Sequence, residues 1–437
     1  MTYKHTESPG RVRAMAAAVV LLGSLNCPSL HAQTNDMTKL EQENADLKRR
    51  LDSLEDLMQK EGIKPSGDSP VMEVKALSGV TLSGYVSASY FYDAANSRSN
   101  SPAGYLWNTK MNSFTLNEIK LTLASPAVDK DKWDAAYRFS LLYGQDAKYL
   151  NSGGGTPGFS AIREGYVELN APIGTGLDIK LGELISLLNY ESGDGGAAND
   201  NFSQGYQWWY TGNGPAAGVQ VGYDFNDVVG IKLRLQNGLF TGPIDGGSKT
   251  FLGGLYINPN KETSLTFLGF AGRQNIPTTW YNDGVEFIGT RKLTDVDHLN
   301  FATELDYWKY SISGNYPTAG APGKHSDFWS VGGWLTGDLT EKTTWALRGD
   351  WIEDPSGFAT AYQSPNPPSL LFGGLPGGIP NHGSGQELMS VTLTLNWKPT
   401  ANLKVQPELR WDHSTVSGSL DGKSDQVIVG MGASYAF

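Results

Sequence analysis

The sequence lacks the features that define several common classes of protein. Its 437 residues include a single cysteine, Cys27, which excludes an internal disulfide and a cysteine metal site. No run of about 20 apolar residues occurs, which excludes a membrane protein built from helices. Acidic residues outnumber basic ones by 45 to 34 without any basic block, so we expect no nucleic-acid partner.

Candidate catalytic groups are also scarce. A hydrolase needs a nucleophile, a base and an orienting group within reach of one another. His413 and Ser414 are neighbours on a predicted strand, so their side chains leave opposite faces. No nucleophile motif surrounds any histidine, and no acidic 12-residue calcium loop occurs. We therefore predict that the protein is not an enzyme and uses neither a metal nor another cofactor.

Glycine and aromatic residues are abundant, with 53 glycines and 11% aromatics, while hydrophobic residues make up only 39%. The mean hydropathy is -0.33. The strands of a transmembrane barrel alternate apolar and polar residues, so their average hydropathy resembles that of a soluble protein. This composition is therefore compatible with a barrel.

The N-terminus has the pattern of an export signal. A positively charged start precedes an apolar stretch of 12 residues, Ala14–Leu25, which is too short to span a bilayer. Ala32 offers a small residue for cleavage, and we predict that residues 1–32 are a signal peptide. A lipoprotein signal at Cys27 is the alternative, but Asn26 is too large and polar for that motif.

A short coiled coil is predicted for residues 33–60, followed by a flexible linker at 61–79. Apolar residues recur there at alternating steps of three and four, which is the a/d seam of a heptad repeat. A buried asparagine at an a position lowers stability but fixes register and oligomer number. The segment is predicted to oligomerise in the periplasm, or else to be a solvated helix or frayed linker, because three heptads are marginal alone. The seam residues are Leu40, Asn44, Leu47, Leu51 and Leu54.

From residue 80 to 437 the sequence alternates between apolar and polar residues, as successive side chains of a strand do. Leu409 and Trp411, for example, alternate with Glu408 and Arg410. Pro407 cannot donate to a strand ladder, so a bulge or local break is expected there. The alternation by itself also fits a soluble sandwich.

The lengths of the connections favour a barrel over a sandwich. Short connections such as 340–342 alternate with long ones such as 191–213, 274–283 and 354–385. An up-and-down membrane barrel has short periplasmic turns and long outer loops. We predict an all-β, transmembrane, up-and-down antiparallel β-barrel of about sixteen strands over residues 80–437, with one poorly marked strand pair near residues 284–292.

The last strand places Tyr435 and Phe437 on one face at the end of the chain. This pattern resembles the signal by which the barrel-assembly machinery recognises outer-membrane barrels. We therefore expect that machinery and outer-membrane lipid as partners, in the outer membrane of a Gram-negative bacterium.

Several segments resemble the OmpL-like family of outer-membrane β-barrel porins. Ser83–Tyr90 is similar to the family's opening strand, and Ile162–Leu184 to a strand, short turn and strand. Residues 347–357 fit its R-x-E-x-x-x-D-x-x-G pattern, with Asp350 where Glu is usual. The resemblance covers nearly the whole predicted barrel. It implies passive transport but no particular solute, and trimers are usual among general sixteen-strand porins.

Selectivity in such a barrel would come from charges on the inner face and from loops folded inward. Both signs are present on the predicted inner face, so we expect no sharp ion selectivity; alternatively, these charges simply pair across neighbouring strands. The predicted inward set is Asp134, Arg138, Glu164, Glu168, Lys232, Arg234, Glu304, Asp306, Arg348, Asp350, Glu408, Arg410 and Asp412.

The third long loop is Glu191–Asn213. In sixteen-strand porins the third loop is typically the one that folds inward and narrows the pore. In this chain it carries Glu191, Asp194 and Asp200 without any Lys or Arg, and we predict an acidic eyelet that favours cations. The alternative is a solvated outer loop. Trp208–Tyr210 are predicted to belong to an interfacial girdle or to the return strand rather than to a sugar slide.

These observations predict an outer-membrane porin for ions and small hydrophilic solutes, as a homo-oligomer with a trimer favoured. The alternative is a non-conducting structural barrel or a surface adhesin.

Overall fold

The structure is a computed structural model, in which the chain divides into two compact units, residues 1–75 and 76–437. It describes residues 48–49, 79–95, 102, 104–105, 108–151, 159–239, 247, 249–275, 279–293, 298–313, 325–357, 359–360, 379 and 384–437. In the first unit the described residues, Lys48 and Arg49, are helical and exposed. The predicted signal peptide and the predicted seam residues Leu40, Asn44, Leu47, Leu51 and Leu54 lie outside the described residues.

The second unit consists mainly of strands, and three short helices lie in the described parts of its connections. The strands are β1 (Thr81–Asp93), β2 (Ser113–Ala124), β3 (Asp134–Tyr143), β4 (Ile162–Ala171), β5 (Leu177–Leu184), β6 (Ala216–Asp224), β7 (Val229–Gln236), β8 (Thr250–Asn260), β9 (Thr263–Asn275), β10 (Thr279–Leu293), β11 (Leu299–Ser313), β12 (His325–Thr340), β13 (Thr343–Asp354), β14 (Gln386–Trp397), β15 (Leu403–Ser414) and β16 (Asp425–Ala436). The helices are α1 (Ala147–Leu150), α2 (Gly195–Ala198) and α3 (Tyr206–Thr211). Within the described ranges, no helix is long and apolar enough to cross a membrane.

The sixteen strands form a closed barrel. Each strand pairs with the next along the chain, and β1 pairs with β16 from Tyr85↔Ala436 to Asp93↔Ile428. Phe437 adds two backbone hydrogen bonds of 3.0 Å with Gly84. All pairings are antiparallel, and closure leaves no sheet edge with unpaired backbone groups. The predicted antiparallel barrel of sixteen strands is confirmed.

One predicted outer connection was wrong. Strand β9 runs to Asn275 and β10 begins at Thr279, so the connection is 276–278 instead of the long loop 274–283. The ladder between them continues through Asn282↔Gly272 and Tyr281↔Arg273 up to Thr279↔Asn275, where polar and aromatic residues interrupt the apolar alternation. Backbone pairing needs no apolar side chains, so a strand can extend beyond the segment that the apolar alternation marks.

The two faces of the sheet differ as the alternation predicts. On β15, Leu409 and Trp411 are exposed on the outer face, whereas Glu408, Arg410 and Asp412 are buried on the inner face. Outer positions all around the barrel carry large exposed apolar side chains. Each would gain about 1.5–3 kcal/mol on burial in an apolar medium, which is the energetic basis of membrane insertion.

The expected break at Pro407 is visible in the ladder. Strands β14 and β15 pair as far as Thr394↔Glu408 and again at Trp397↔Val405, with the positions around Pro407 left out. The hydrogen bonding is interrupted because proline has no N–H to donate. The register of the two strands is the same on both sides of the interruption.

Candidate pore constriction

The connection between β5 and β6, residues 185–215, folds into the barrel, and we call it the inner loop. It contains α2 and α3, and Gln207 and Thr211 of α3 are fully buried. It contacts the inner faces of several strands, among them β2, β4, β11, β13 and β15. The inner loop therefore narrows the lumen instead of lying as a solvated outer loop.

Arg348 of β13 holds the first part of the inner loop. Its Nη1 lies 2.8 Å from Oε1 of Glu191 and also donates to the backbone carbonyl of Ser203. Its Nη2 donates to Thr392 at 2.8 Å. Glu191 completes the arrangement by accepting from the backbone N–H of Gly205 at 2.8 Å. The Arg348–Glu191 ion pair is buried and hydrogen-bonded on both sides, which a buried charge pair requires.

Arg410 of β15 holds the neighbouring part. Its Nη1 donates to the carbonyl of Gln204 at 2.5 Å, and its Nε to Asp412 at 2.6 Å. Its guanidinium lies 4.4 Å from the ring centre of Tyr105 and 4.9 Å from that of Tyr206. A guanidinium between two aromatic rings keeps favourable electrostatic contacts after it leaves water.

Wall carboxylates accept hydrogen bonds from backbone N–H groups of the inner loop. Glu408 accepts from Phe202 at 2.7 Å and from Ser203 at 3.2 Å. Asp350 accepts from Gln207 at 3.3 Å. These backbone N–H groups of the inner loop are buried and are not part of a strand ladder, so they need other acceptors. The wall carboxylates provide these acceptors.

Asp194 connects the inner loop to the opposite wall. Its carboxylate pairs with Lys120 of β2 and lies 3.6 Å from Nε of Arg163 of β4. Burial alone would raise the pKa of Asp194, but the positive charges of Lys120 and Arg163 outweigh it and lower that pKa below its usual value. Asp194 therefore stays ionised at neutral pH.

Helix α3 packs on an apolar patch of the inner wall. Trp209 and Tyr210 are buried in one cluster with Leu252, Phe270 and Trp308. The prediction that Trp208–Tyr210 belong to an interfacial girdle or to the return strand was wrong. The physical reason is that strands β8 to β14 carry apolar side chains on the inner face, which α3 covers.

The remaining predicted wall residues face inward but contact other groups. Arg138 pairs with Glu164 at 2.6 Å, and Lys180 with Glu168 at 3.4 Å. Several predicted charges are thus neutralised locally, as the alternative interpretation held. The other contacts are Asp134 with the N–H of Asp129 at 2.8 Å, Arg234 with Gln220 at 2.7 Å and the Ile185 carbonyl at 2.7 Å, and Lys232 over the Tyr256 ring at 4.5 Å.

The three acids predicted for an eyelet lie in different environments. Glu191 and Asp194 are paired with wall cations, whereas Asp200 is exposed. Asp200 and Tyr190 line a cavity of about 520 Å³ together with residues at the short-turn ends of β8 to β12, among them Lys261 and Arg291. A second cavity of about 250 Å³ lies on the other side of the inner loop, beside Trp208 and Trp209. The geometry leaves Asp200 as the acid in contact with solvent.

Sequence reasoning missed Glu286 of β10, which binds the inner loop beside Glu304 and Asp306 of β11, two residues that it did assign to the inner face. Glu286 accepts from the N–H of Asn189 at 2.9 Å, and Glu304 from the N–H of Tyr190 at 2.6 Å. Gln207 donates to Asp306 at 2.6 Å. Glu286 lies in the poorly marked strand pair, where the alternation is too weak to show which side chains face inward.

The one histidine–serine pair considered for catalysis is separated. His413 lies 2.9 Å from Asp425, while Ser414 accepts from Gln386 at 2.8 Å. The two side chains leave opposite faces of β15 and share no partner among these contacts.

Residues 79–437 match the sequence model of a family described as "Putative beta-barrel porin-2, OmpL-like". No curated protein matches the sequence significantly.

The barrel is similar to several solved outer-membrane proteins. The anion-selective porin from Comamonas acidovorans has a TM-score of 0.52 at 11% identity, over 82% of this chain and 99% of that chain. OmpTdeltaL8, a loop deletion mutant of the outer-membrane protein OmpT of Vibrio cholerae, gives the same four values. The outer membrane channel DcaP of Acinetobacter baumannii has a TM-score of 0.50 at 13% identity, over 82% and 97%. At these identities the likeness shows the fold alone.

Proposed function

The chain belongs to the OmpL-like β-barrel porin-2 family, and from this premise we propose that it is an outer-membrane porin for passive diffusion of ions and small hydrophilic solutes. The observation that carries the proposal is the inner loop. Contacts of Arg348, Arg410 and Asp194 fix it to the barrel wall. It narrows the lumen of a closed barrel whose inner face is charged. A narrowed, charged lumen selects solutes by size and charge.

We infer weak selectivity in favour of cations. The wall cations Lys120, Arg163, Arg348 and Arg410 are all paired with acids, so these pairs add little net field to the lumen. Asp200 is the exposed acid of the inner loop, and it lines the larger cavity. Lys261 and Arg291 line the same cavity and oppose its charge. The anion-selective porin from Comamonas acidovorans has a similar barrel, so we infer that the sign of the preference depends on such local charges and not on the fold.

Sequence patterns also support a proposal for the export and oligomerisation of the protein. We propose that residues 1–32 are removed on export, that residues 33–60 form a periplasmic coiled coil joined by the linker 61–79, and that the barrel assembles as a trimer. Tyr435 and Phe437 are proposed to engage the barrel-assembly machinery. Crosslinking of native membranes, with and without residues 33–60, tests the trimer and the part that the coiled coil plays in it.

One observation favours the alternative of a non-conducting barrel or adhesin. The apolar cluster around α3 fills part of the lumen with large side chains, including Trp209, Phe270 and Trp308. Conduction therefore depends on the space left on the other side of the inner loop, toward Asp200.

Conductance of purified protein in a planar bilayer separates the two functions. A porin gives stepwise current increases as single channels insert, and reversal potentials across a salt gradient give the sign of selectivity. If correctly folded protein gives no current steps, the barrel is non-conducting and the alternative function holds.

A further inference from the structure

Three acidic side chains meet on the inner face of β10 and β11. Glu286 pairs with Asp306 in the ladder, and Glu304 lies one inward position further along β11. All three are buried, and one carboxylate oxygen from each lies within 4.8 Å of the other two. The salt bridges formed by the described residues include none of these three acids.

Hydrogen bonds from the inner loop satisfy only part of this cluster. Both oxygens of Glu304 accept, from Asn189 Nδ2 at 2.9 Å and from the N–H of Tyr190 at 2.6 Å. Oε2 of Glu286 and Oδ1 of Asp306 are buried, and no described residue donates a hydrogen bond to either oxygen. Ionised carboxylates this close to one another repel, and a cation bound between them would relieve that repulsion.

The side chain of Gln207 adds a separate observation. It is fully buried, and its Nε2 donates to Asp306 Oδ2 at 2.6 Å and to the carbonyl of Glu304 at 3.1 Å. Within the described part of the chain, its Oε1 has no hydrogen-bond partner. The amide is thus held beside the acidic cluster by its Nε2, and its carbonyl oxygen is of a type that Ca²⁺ takes as a ligand.

Gly332 of β12 makes room for this carbonyl oxygen. Gly332 pairs with Glu304 in the ladder, and a Cβ on it would lie 1.8 Å from Gln207 Oε1. The oxygen therefore sits directly on the wall beside Glu304. A larger residue at position 332 would push it away from the cluster.

We propose that Glu286, Glu304, Asp306 and Gln207 Oε1 bind one Ca²⁺ ion that fastens the inner loop to β10 and β11. Calcium takes six to eight oxygen ligands from carboxylates, carbonyls and water in a flexible arrangement, which suits acids on two strands and an amide on a loop. Mg²⁺ demands a stricter octahedron and gives up water reluctantly, so it binds more weakly here. The site does not depend on whether the barrel conducts.

Calcium titration of the folded, full-length protein tests the site. After EDTA treatment and removal of the chelator, isothermal titration with CaCl₂ is expected to show one tight site per chain. Glu286→Gln should weaken it by about tenfold or more, because one charged ligand is lost. Glu168→Gln is the matched control, since Glu168 is an inner-wall acid paired with Lys180 away from the inner loop. No tight site in the wild type, or equal binding by Glu286→Gln, overturns the proposal.

A measurement on the wild-type protein covers the case in which Glu286→Gln fails to fold. Tb³⁺ binds at calcium sites and emits when nearby indoles are excited. Trp334 lies on the same inner face as Gly332, two residues along β12. Tryptophan-sensitised emission that Ca²⁺ abolishes at lower concentration than Mg²⁺ supports the site. Emission that Ca²⁺ does not displace, or that Mg²⁺ displaces first, contradicts it. Neither readout uses current, so the calcium site and the porin function fail independently.

Discussion

Nη1 of Arg348 on β13 and Oε1 of Glu191 on the inner loop are 2.8 Å apart, and both side chains are almost completely buried, at 0% and 3% exposure. Glu191 also accepts from Trp334 at 3.3 Å and from the N–H of Gly205 at 2.8 Å. The pair therefore joins the barrel wall, the start of the inner loop and the turn before α3 in one network.

Arg348→Met should release this part of the inner loop. It leaves the Glu191 carboxylate buried without its counter-ion, which costs about 3–5 kcal/mol. We expect a lower unfolding temperature and larger or noisier single-channel conductance. Calorimetry and planar-bilayer recording measure the two effects.

A double variant and an exposed pair serve as controls for this prediction. Arg348→Met combined with Glu191→Gln should lose less stability than the single change, because the Glu191 carboxylate is no longer left buried without a counter-ion, whereas Asp350 loses its Arg348 contact in both variants. Lys130→Met should change stability little, since the Lys130–Asp224 pair is exposed. Unchanged stability and conductance in Arg348→Met would show that the network does not hold the loop.

Close packing at β16 gives a prediction with a steric cause. A Cβ on Gly432 would lie 2.0 Å from the ring of Phe202, which packs against Phe91 at 5.5 Å between ring centres. Gly432→Ala should therefore displace Phe202 and expose the inner loop to protease. Limited proteolysis of folded barrels measures this. Gly333→Ala is the control, because no atom of the described residues lies within 4 Å of its Cβ position. Equal resistance of both variants would contradict the packing argument.

Strand positions could be predicted from the sequence, and the resemblance to porins indicated which loop folds inward, but the contacts of the inner loop could not be predicted. Alternation depends on the period of two, which each strand shows by itself, so Glu408 and Arg410 are assigned to the inner face correctly. The contacts of the inner loop join distant positions, and Glu191 and Arg348 are 157 residues apart. Inward apolar residues such as Phe270 and Trp308 are a local signal that something packs inside, yet they do not show which segment does so.

The ion pair of Asp194 predicts how the inner loop responds to pH. Lys120 and Arg163 lower the pKa of Asp194 in the folded protein below the value of about 3.9 in an unfolded chain. A lowered folded pKa gives stability that is present above pH 4 and is lost as the pH falls through the folded value.

We therefore expect the inner loop to stay docked at pH 5 and to loosen only well below pH 4. Protease accessibility or a spin label on the inner loop follows this as a function of pH. Asp194→Asn should abolish the transition and leave the loop looser at neutral pH. A transition between pH 5 and 7 that persists in Asp194→Asn would assign the pH response to another group.

Asp200 provides the test of the acidic eyelet. It is the exposed acid of the inner loop, so Asp200→Asn should reduce cation preference, which the reversal potential across a salt gradient measures. Asp227→Asn is the control, since Asp227 is an exposed acid in the short connection between β6 and β7. An anion preference in the wild type, or equal reversal potentials for wild type and Asp200→Asn, would rule out the eyelet.

The end of the chain predicts an assembly defect rather than a conduction defect. Phe437 closes the barrel by two backbone hydrogen bonds with Gly84, and its side chain is 50% exposed on the membrane face. Phe437→Ala keeps the backbone hydrogen bonds and removes only the aromatic ring. If the ring is part of the signal for the assembly machinery, the amount of folded barrel in outer-membrane fractions should fall several-fold. Phe301→Ala is the matched control, because Phe301 is 45% exposed on β11 and contributes similar apolar surface to the membrane. Equal loss in both variants would mean that Phe437 acts through membrane burial alone, whereas a loss confined to Phe437→Ala, with normal conductance of the protein that does fold, assigns the ring to recognition.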